Sequence, residues 1–256
     1  MYLHEPVFDP DELLKCNYHI HTSFSRCGKT EMRFADIVDT AARAGLEEIA
    51  LTDHIHPGEE QKLFRIIPIL NRKKERCQTK LKIYIGAELS AYGTGRYTLK
   101  KTDYPLEYRL YSHNHYHMFG WEQPADRSPQ GYRKHCLDSV RNVILSGKAD
   151  CLAHPFTDYY IVREFEDVYG FTRGCVTSLF TDNDIGDLML LSKEYKVAWE
   201  LNTSVLPRYP DFAKKYFALG KETGVSFNVG TDAHRLSEIN TRQYRDDFIK
   251  LIGAGK

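Results

Sequence analysis

The 256-residue sequence lacks the usual marks of a membrane or secreted protein. No apolar run approaches the roughly 20 residues that span a bilayer, and the N-terminus has neither the basic start nor the apolar stretch of a signal peptide. The six cysteines are scattered without a CxxC pair, so we interpret them as reduced thiols and not as a disulfide framework. We therefore expect a cytoplasmic protein with no membrane partner.

An excess of charge of either sign is also missing. Lysine plus arginine equals aspartate plus glutamate, at 35 each. This balance argues against a protein whose whole surface binds nucleic acid, although a local basic patch stays possible. Internal repeats and low-complexity segments are absent too, and 42% of the residues are hydrophobic. A chain of this length buries a full core, and we expect a single domain over residues 1–256.

Short apolar stretches with the length of strands recur along the chain. They lie at residues 16–20, 48–51, 82–87, 108–111, 149–153, 197–201 and 225–229. Amphipathic stretches between several of them predict helices, at residues 31–44, 131–146, 184–195 and 211–219.

Alternating strands and helices imply parallel strands with right-handed crossovers. We predict a closed α/β barrel, with a doubly wound open sheet as the alternative. The barrel is favoured because polar residues follow nearly every strand, and only a barrel brings all strand ends to one mouth. Three long polar stretches, residues 92–107, 120–130 and 156–182, are interpreted as substrate-facing loops or, equally, as plain solvent loops.

Histidine, aspartate or glutamate follows most of the predicted strands. His19 and His21 share one face of a strand and can hold one ion, because side chains two residues apart point the same way. Imidazole nitrogens and carboxylate oxygens are typical ligands for zinc, manganese or iron. The further candidate ligands are His54, Glu88, His115, His154, Asp232 and His234.

Some of these positions leave alternatives open. His113, His115 and His117 alternate after one strand, and we favour His115 as the ligand; His56 is a second-choice ligand beside His54. Asp53 either orients its neighbour, binds metal or caps a turn. His154 precedes Pro155, which predicts an extended backbone at His154.

Taken together, these residues carry a family resemblance. The chain resembles the PHP domain family, named for polymerase and histidinol phosphatase, over nearly its whole length. The matching motifs are His-Ile-His (19–21), Leu-Thr-Asp-His (51–54), Gly-Ala-Glu (86–88), Leu-Ala-His-Pro (152–155) and Gly-Thr-Asp-Ala-His (230–234). The resemblance implies a distorted TIM-like (β/α)7 barrel with two or three divalent ions at the carboxyl ends of the strands. It also places Asn202, from the segment 199–203, near the site.

The resemblance implies three ligand sets. The first is His19, His21, Glu88 and Asp232, and the second is Glu88, one histidine of the 113–117 cluster and His154. His54 and His234 hold a third ion, completed by a residue after the first motif. Family members commonly have histidine or aspartate there, whereas this chain has Cys27. A thiolate would bias that site toward zinc or iron, or leave it weak.

This resemblance predicts hydrolysis of a phosphate ester by metal-activated hydroxide. Glu88, Asp53 and His234 are the candidate catalytic residues, and Arg26, Arg235 and Asn202 are the candidate substrate-binding residues. A small phosphomonoester such as histidinol phosphate is the favoured substrate. A nuclease or nucleotide phosphoesterase is the alternative, so a nucleic-acid partner stays possible. An amidohydrolase or a non-catalytic metal-binding module is more distant.

Overall fold

Strands and helices alternate along the chain in the computed structural model, which describes residues 2–99, 104–116, 118, 120–157, 168 and 176–253. The strands are β1 (Cys16–Ile20), β2 (Glu48–Leu51), β3 (His54–Ile55), β4 (Lys82–Gly93), β5 (Arg96–Tyr97), β6 (Tyr108–Ser112), β7 (Cys151–Leu152), β8 (Ala198–Asn202) and β9 (Phe227–Gly230). The helices of the described residues are α1 (Pro10–Leu13), α2 (Phe34–Arg43), α3 (Gln61–Glu75), α4 (Pro129–Leu145), α5 (Asp182–Tyr195), α6 (Pro210–Thr223) and α7 (Arg245–Ile252).

Seven parallel strands form the wall of a barrel, in the order β1-β2-β4-β6-β7-β8-β9. The two ends of this sheet meet where Ile20 forms a parallel bridge with Ala233. The His21 amide donates to the Ala233 carbonyl at 2.9 Å, and the Ala233 amide donates to the His19 carbonyl at 3.2 Å. The predicted TIM-like α/β barrel is therefore confirmed, and the open-sheet alternative is wrong because the sheet returns to its first strand.

Each predicted strand and helix is present, with bounds shifted by a few residues. The sequence patterns did not predict α1, α3 or α7, nor the two-residue strands β3 and β5. In α3 the helical period is obscured by Pro68 inside the helix and by a basic second half. Among the helices that the structure describes, none combines the length and the apolar character needed to cross a membrane.

The predicted loops have mixed outcomes. Residues 92–107 are not wholly irregular, because β4 runs on to Gly93 and β5 pairs with it in antiparallel orientation. Residues 120–128 lack regular structure and lead into α4. Most of the stretch 156–182 lies outside the described residues.

Two apolar layers stabilise the barrel. Because side chains alternate along a strand, each strand contributes to both. The layer between the strands and the helices contains Trp199 and Phe227, which are fully buried. The layer inside the barrel consists of Tyr18, Ala50, Tyr108, Leu110, Cys151, Ala153 and Ala198. The interior is thus a packed core and not a channel, and the functional groups lie at its carboxyl end.

Candidate metal centre

The candidate ligands converge at the carboxyl end of the barrel. Four overlapping groups have ligand atoms within 4.8 Å of one another. They are His19, His21, Glu88 and Asp232; Glu88, His115 and His154; His21, Cys27, His54 and His234; and His19, His154 and Glu200. The structure therefore brings together all nine ligands suggested by the sequence, and it adds Glu200.

Glu88 lies at the centre of these groups. Parallel pairing of β3 and β4 aligns it with His54, whose Nδ1 is 2.7 Å from Glu88 Oε2. The other oxygen, Oε1, is 3.5 Å from His154 Nε2 and 3.7 Å from His115 Nε2. It forms no hydrogen bond with any residue that the structure describes.

A buried carboxylate oxygen without a donor is costly. Both imidazole nitrogens beside Glu88 Oε1 lie beyond normal hydrogen-bond distance. A divalent ion between them would satisfy the oxygen and both nitrogens, so these side chains fit a metal site. Glu88 Oε2 also lies 3.4 Å from His19 Nε2, which allows the carboxylate to face two ion positions at once.

Asp232 completes the first group at the point where the barrel closes. Its Oδ1 lies 2.8 Å from His21 Nε2 and 3.3 Å from His19 Nε2. The backbone of Asp232 has a φ of 54°, which L residues adopt at a cost. The bridge between Ile20 and Ala233 holds that conformation and aims the carboxylate at the histidine pair.

His154 also has a positive φ, of 27°, so the predicted extended backbone is wrong. The conformation is held by its own backbone groups. The His154 amide donates to Glu200 Oε2 at 2.5 Å, and its carbonyl accepts from Asn114 Nδ2 at 3.1 Å and from the Thr157 hydroxyl at 2.6 Å. Backbone strain at two candidate ligands is typical of functional sites.

Glu200 is the functional residue that the sequence reasoning missed. Its Oε1 accepts from His19 Nδ1 at 2.7 Å and from Asn202 Nδ2 at 3.1 Å. A Cβ at Gly230 would come within 2.1 Å of the same oxygen, so glycine there makes room for the carboxylate. The available signal was a carboxylate within a buried apolar strand, the same signal that identified Glu88.

The third group depends on a tight loop after β1. A Cβ at Gly28 would lie 2.1 Å from the Thr22 carbonyl oxygen, so the loop needs glycine at this position. Cys27 consequently sits beside His54 and His234. Burial raises the pKa of the Cys27 thiol, but hydrogen bonds with both imidazoles lower it by more. The resulting pKa is about 7, which is below the usual value of a thiol. A thiolate is thus accessible near neutral pH.

Asp53 stabilises this loop through hydrogen bonds. Its carboxylate accepts the Thr22 amide at 2.7 Å, the Thr22 hydroxyl at 2.6 Å and the Ser25 hydroxyl at 2.6 Å. The Ser25 oxygen in turn accepts the His54 amide at 3.1 Å. Three donors thus hold Asp53 in a position that supports the loop, and its catalytic role stays a prediction.

The candidate substrate-binding residues separate into two kinds. Arg26 and Arg235 are exposed and flank Cys27 and His234 along the chain. Asn202 is 1% exposed, and its side chain bonds to Glu200 and accepts the Ser204 and Val205 amides at 3.1 and 3.0 Å. Asn202 thus holds Glu200, and its substrate-binding role stays a prediction.

The remaining histidines are placed as follows. His113 is buried against Phe156, and its Nε2 accepts the Phe156 amide at 3.3 Å, so it lies outside the four groups. His56 stacks on His54 with ring centroids 5.0 Å apart. The placement of His117 lies outside the described residues.

Opposite charges balance inside the cluster. Burial opposes ionisation of Glu88, but the charges of His54 and His19 outweigh it and hold the pKa of Glu88 well below its usual value. Burial, followed by the charge on His54, lowers the pKa of His21 to about 3. Burial also lowers the pKa of His19 and His54, but the carboxylates outweigh it and raise both pKa values well above the usual value. Metal ligation would therefore displace protons from these imidazoles.

Comparison with a solved structure agrees with the barrel fold. The solved structure of histidinol phosphate phosphatase from Lactococcus lactis subsp. lactis Il1403, complexed with zinc, L-histidinol and phosphate, is similar in fold. Its TM-score is 0.57 at 18% identity, and the match covers 93% of this chain and 92% of that chain. A broad-specificity GH5-4 endoglucanase from Clostridium longisporum matches at a TM-score of 0.38 and 11% identity, over 98% of this chain and 100% of that chain.

No curated protein is significantly similar to the chain in sequence. The family model of the PHP domain, in contrast, matches residues 17–203. That match includes β1 to β8 and every candidate ligand except Asp232 and His234. Because it spans well over half of the sequence, the chain belongs to the PHP domain family.

Proposed function

We propose that this protein is a metal-dependent phosphoesterase that hydrolyses a small phosphomonoester at the mouth of the barrel. The observation that carries the proposal is the buried Glu88 oxygen, which faces two imidazoles without a hydrogen-bond donor. Membership of the PHP domain family supports the reaction class. Histidinol phosphate is the favoured substrate, because the structural neighbour holds L-histidinol and phosphate.

Each ligand set of the site suits a divalent ion. His19, His21, Glu88 and Asp232 would hold a first ion, and Glu88, His115 and His154 a second. Cys27, His54 and His234 would hold a third, where the thiolate favours zinc or iron over manganese. When bound, such ions lower the pKa of water and neutralise charge on phosphoryl oxygens.

Other residues of the chain would orient the metal ligands and contact the substrate. Glu200 accepts the Nδ1 proton of His19, so His19 Nε2, which faces Glu88 and Asp232, would be the nitrogen that ligates an ion. The His234 side chain is 26% exposed, which leaves it accessible from the mouth. Arg26 and Arg235 are exposed in the adjoining loops, and their guanidinium groups suit a phosphate dianion.

A substrate panel tests the proposal. Purified protein loaded with zinc, manganese or iron is assayed on histidinol phosphate, other phosphomonoesters, phosphodiesters and amides, with Glu88→Gln as the matched inactive control. We expect phosphomonoester hydrolysis that the variant loses. Hydrolysis of oligonucleotides alone would establish the nuclease alternative. Activity on amides alone, unchanged in the variant, would refute a phosphoesterase.

A further inference from the structure

The chain has no net charge, but one segment of it is strongly basic. Residues 61–82 contain eight of the 35 basic residues and only one of the 35 acidic residues. This segment is α3 together with the turn that leads into β4. A local excess of positive charge on an otherwise acidic chain indicates an anionic partner.

Helix α3 has two faces of opposite character. Leu63, Ile66, Ile67 and Leu70 are buried in the layer between the helices and the strands. Arg65, Arg72 and Arg76 are exposed and fall on one stripe, because they are seven and four residues apart. We call these three residues the arginine stripe. The stripe is about 16 Å long at 1.5 Å per residue.

The arginine stripe keeps its charge. Several lysines of the segment are neutralised nearby: Lys62 pairs with Glu59 at 2.6 Å, and Lys74 pairs with Glu107 at 2.6 Å. The three arginines, in contrast, form no ion pair with another residue that the structure describes. Guanidinium forks spaced along a helix suit a row of phosphates.

An exposed aromatic side chain accompanies the stripe. Phe64 is 60% exposed and precedes Arg65, so it lies about 100° around the helix from the stripe and flanks it. Its ring centroid is 5.2 Å from that of Tyr104, with the ring planes tilted by 51°. Unpaired bases stack on such rings, whereas paired bases are already stacked.

We propose that the exposed face of α3 binds a single-stranded nucleic acid, with phosphates on the arginine stripe and a base on Phe64. A lipid surface fits less well, because Leu63, Ile66, Ile67 and Leu70 of α3 are buried and Phe64 is its one large exposed hydrophobic side chain. Helix α3 begins five residues after His56, whose ring stacks on His54. The first turn of α3 is thus the part of this face nearest in sequence to the candidate metal centre, and the stripe runs from there toward the start of β4. Binding here goes beyond the proposed hydrolysis and is independent of it.

Fluorescence anisotropy tests this with the full-length protein and a labelled 15-nucleotide phosphorothioate oligothymidine. The double variant Arg65→Gln/Arg72→Gln removes two charges seven residues apart. Lys214→Gln/Lys221→Gln is the matched control, because it removes two exposed charges at the same spacing from α6. We expect the α3 variant to weaken binding about tenfold and to reduce the salt slope by about 1.4. The control should change neither.

Phe64→Ala gives a second readout. It should weaken binding at least about fivefold through lost stacking while leaving the salt slope unchanged. The proposal is overturned if wild-type protein does not bind the oligonucleotide, or if both charge variants weaken binding equally. It is also overturned if vesicles of anionic phospholipid, and not the oligonucleotide, bind in a manner that depends on Arg65 and Arg72. Phosphomonoester hydrolysis by the α3 variant should stay at the wild-type rate, which separates this proposal from the proposed function.

Discussion

The two ends of the barrel interior are built by the same strands but differ in chemistry. β1 contributes Tyr18 at the amino end and His19 next to it, and β4 contributes Tyr84 and then Glu88. At the amino end the tyrosine rings pack together, with Tyr18 5.8 Å from Tyr108 and 6.0 Å from Tyr84. At the carboxyl end imidazoles and carboxylates replace them.

Hydrogen bonding separates the two ends further. The Tyr18 and Tyr84 hydroxyls both donate to Glu48 Oε2, at 2.8 and 3.0 Å, and Tyr108 accepts Asn228 Nδ2 at 2.9 Å. The tyrosine hydroxyls are thus satisfied by the protein itself. At the other end Glu88 Oε1 finds no donor among the described residues. The amino end therefore stabilises the fold, and the carboxyl end is arranged for ions.

The largest expected effect comes from Glu88→Gln. An amide bridges two cations poorly, so both ions that share Glu88 should be lost. Removing a residue that only supports a metal ligand costs up to about 100-fold in activity. The loss of activity in Glu88→Gln should be larger. Metal analysis by mass spectrometry and the hydrolysis rate measure it. Glu48→Gln, the same change at the amino end, should keep the ions; equal metal content in both variants would contradict the division between the ends.

Glu200→Gln should have the next largest effect. A side-chain amide accepts hydrogen bonds from His19 Nδ1 and the His154 amide less strongly than the carboxylate does. Metal affinity should therefore fall about 10–100-fold. Chelator competition measures that affinity. Gly230→Ala should act in the same way, because its Cβ would overlap Glu200 Oε1. Wild-type affinity in both variants would show that Glu200 does not orient the ligands.

Cys27→Ser should affect one ion. A hydroxyl is a weaker ligand than a thiolate, so the third site should lose its ion in dialysed protein while the other two ions stay. Metal content per chain measures this. Cys77→Ser, a half-buried cysteine on the turn after α3, is the control and should retain every ion. Identical metal content in the two variants would remove Cys27 from the site.

Tyr108→Phe should have the smallest effect on function. It leaves Asn228 Nδ2 without its acceptor, so the free energy of unfolding should fall by about 1–3 kcal/mol. Denaturant unfolding measures the change, and metal content should match that of wild type. Tyr195→Phe, at a 44% exposed position, should leave stability unchanged. Loss of ions in Tyr108→Phe would mean that the two ends of the barrel are coupled.

Much of the fold and the candidate site could be predicted because the signals are local. A strand shows as a short apolar run, and a ligand shows as a polar residue at its end, as with His19, Glu88 and His154. Glu200 was missed although it holds the same place in residues 197–201 as His19 does in residues 16–20. Asp53 accepts the Thr22 amide, 31 positions away in the chain, and such a long-range contact leaves no trace in the sequence.

The sequence by itself determined the seven strands of the barrel wall and the chemical type of most candidate ligands, because both follow from short-range patterns. Only the tertiary structure decided which ligands act together. His21 and Asp232 are separated by 211 positions and meet because the barrel closes between Ile20 and Ala233. The positive φ values of His154 and Asp232 likewise exist only because long-range hydrogen bonds hold a backbone that the local sequence does not favour.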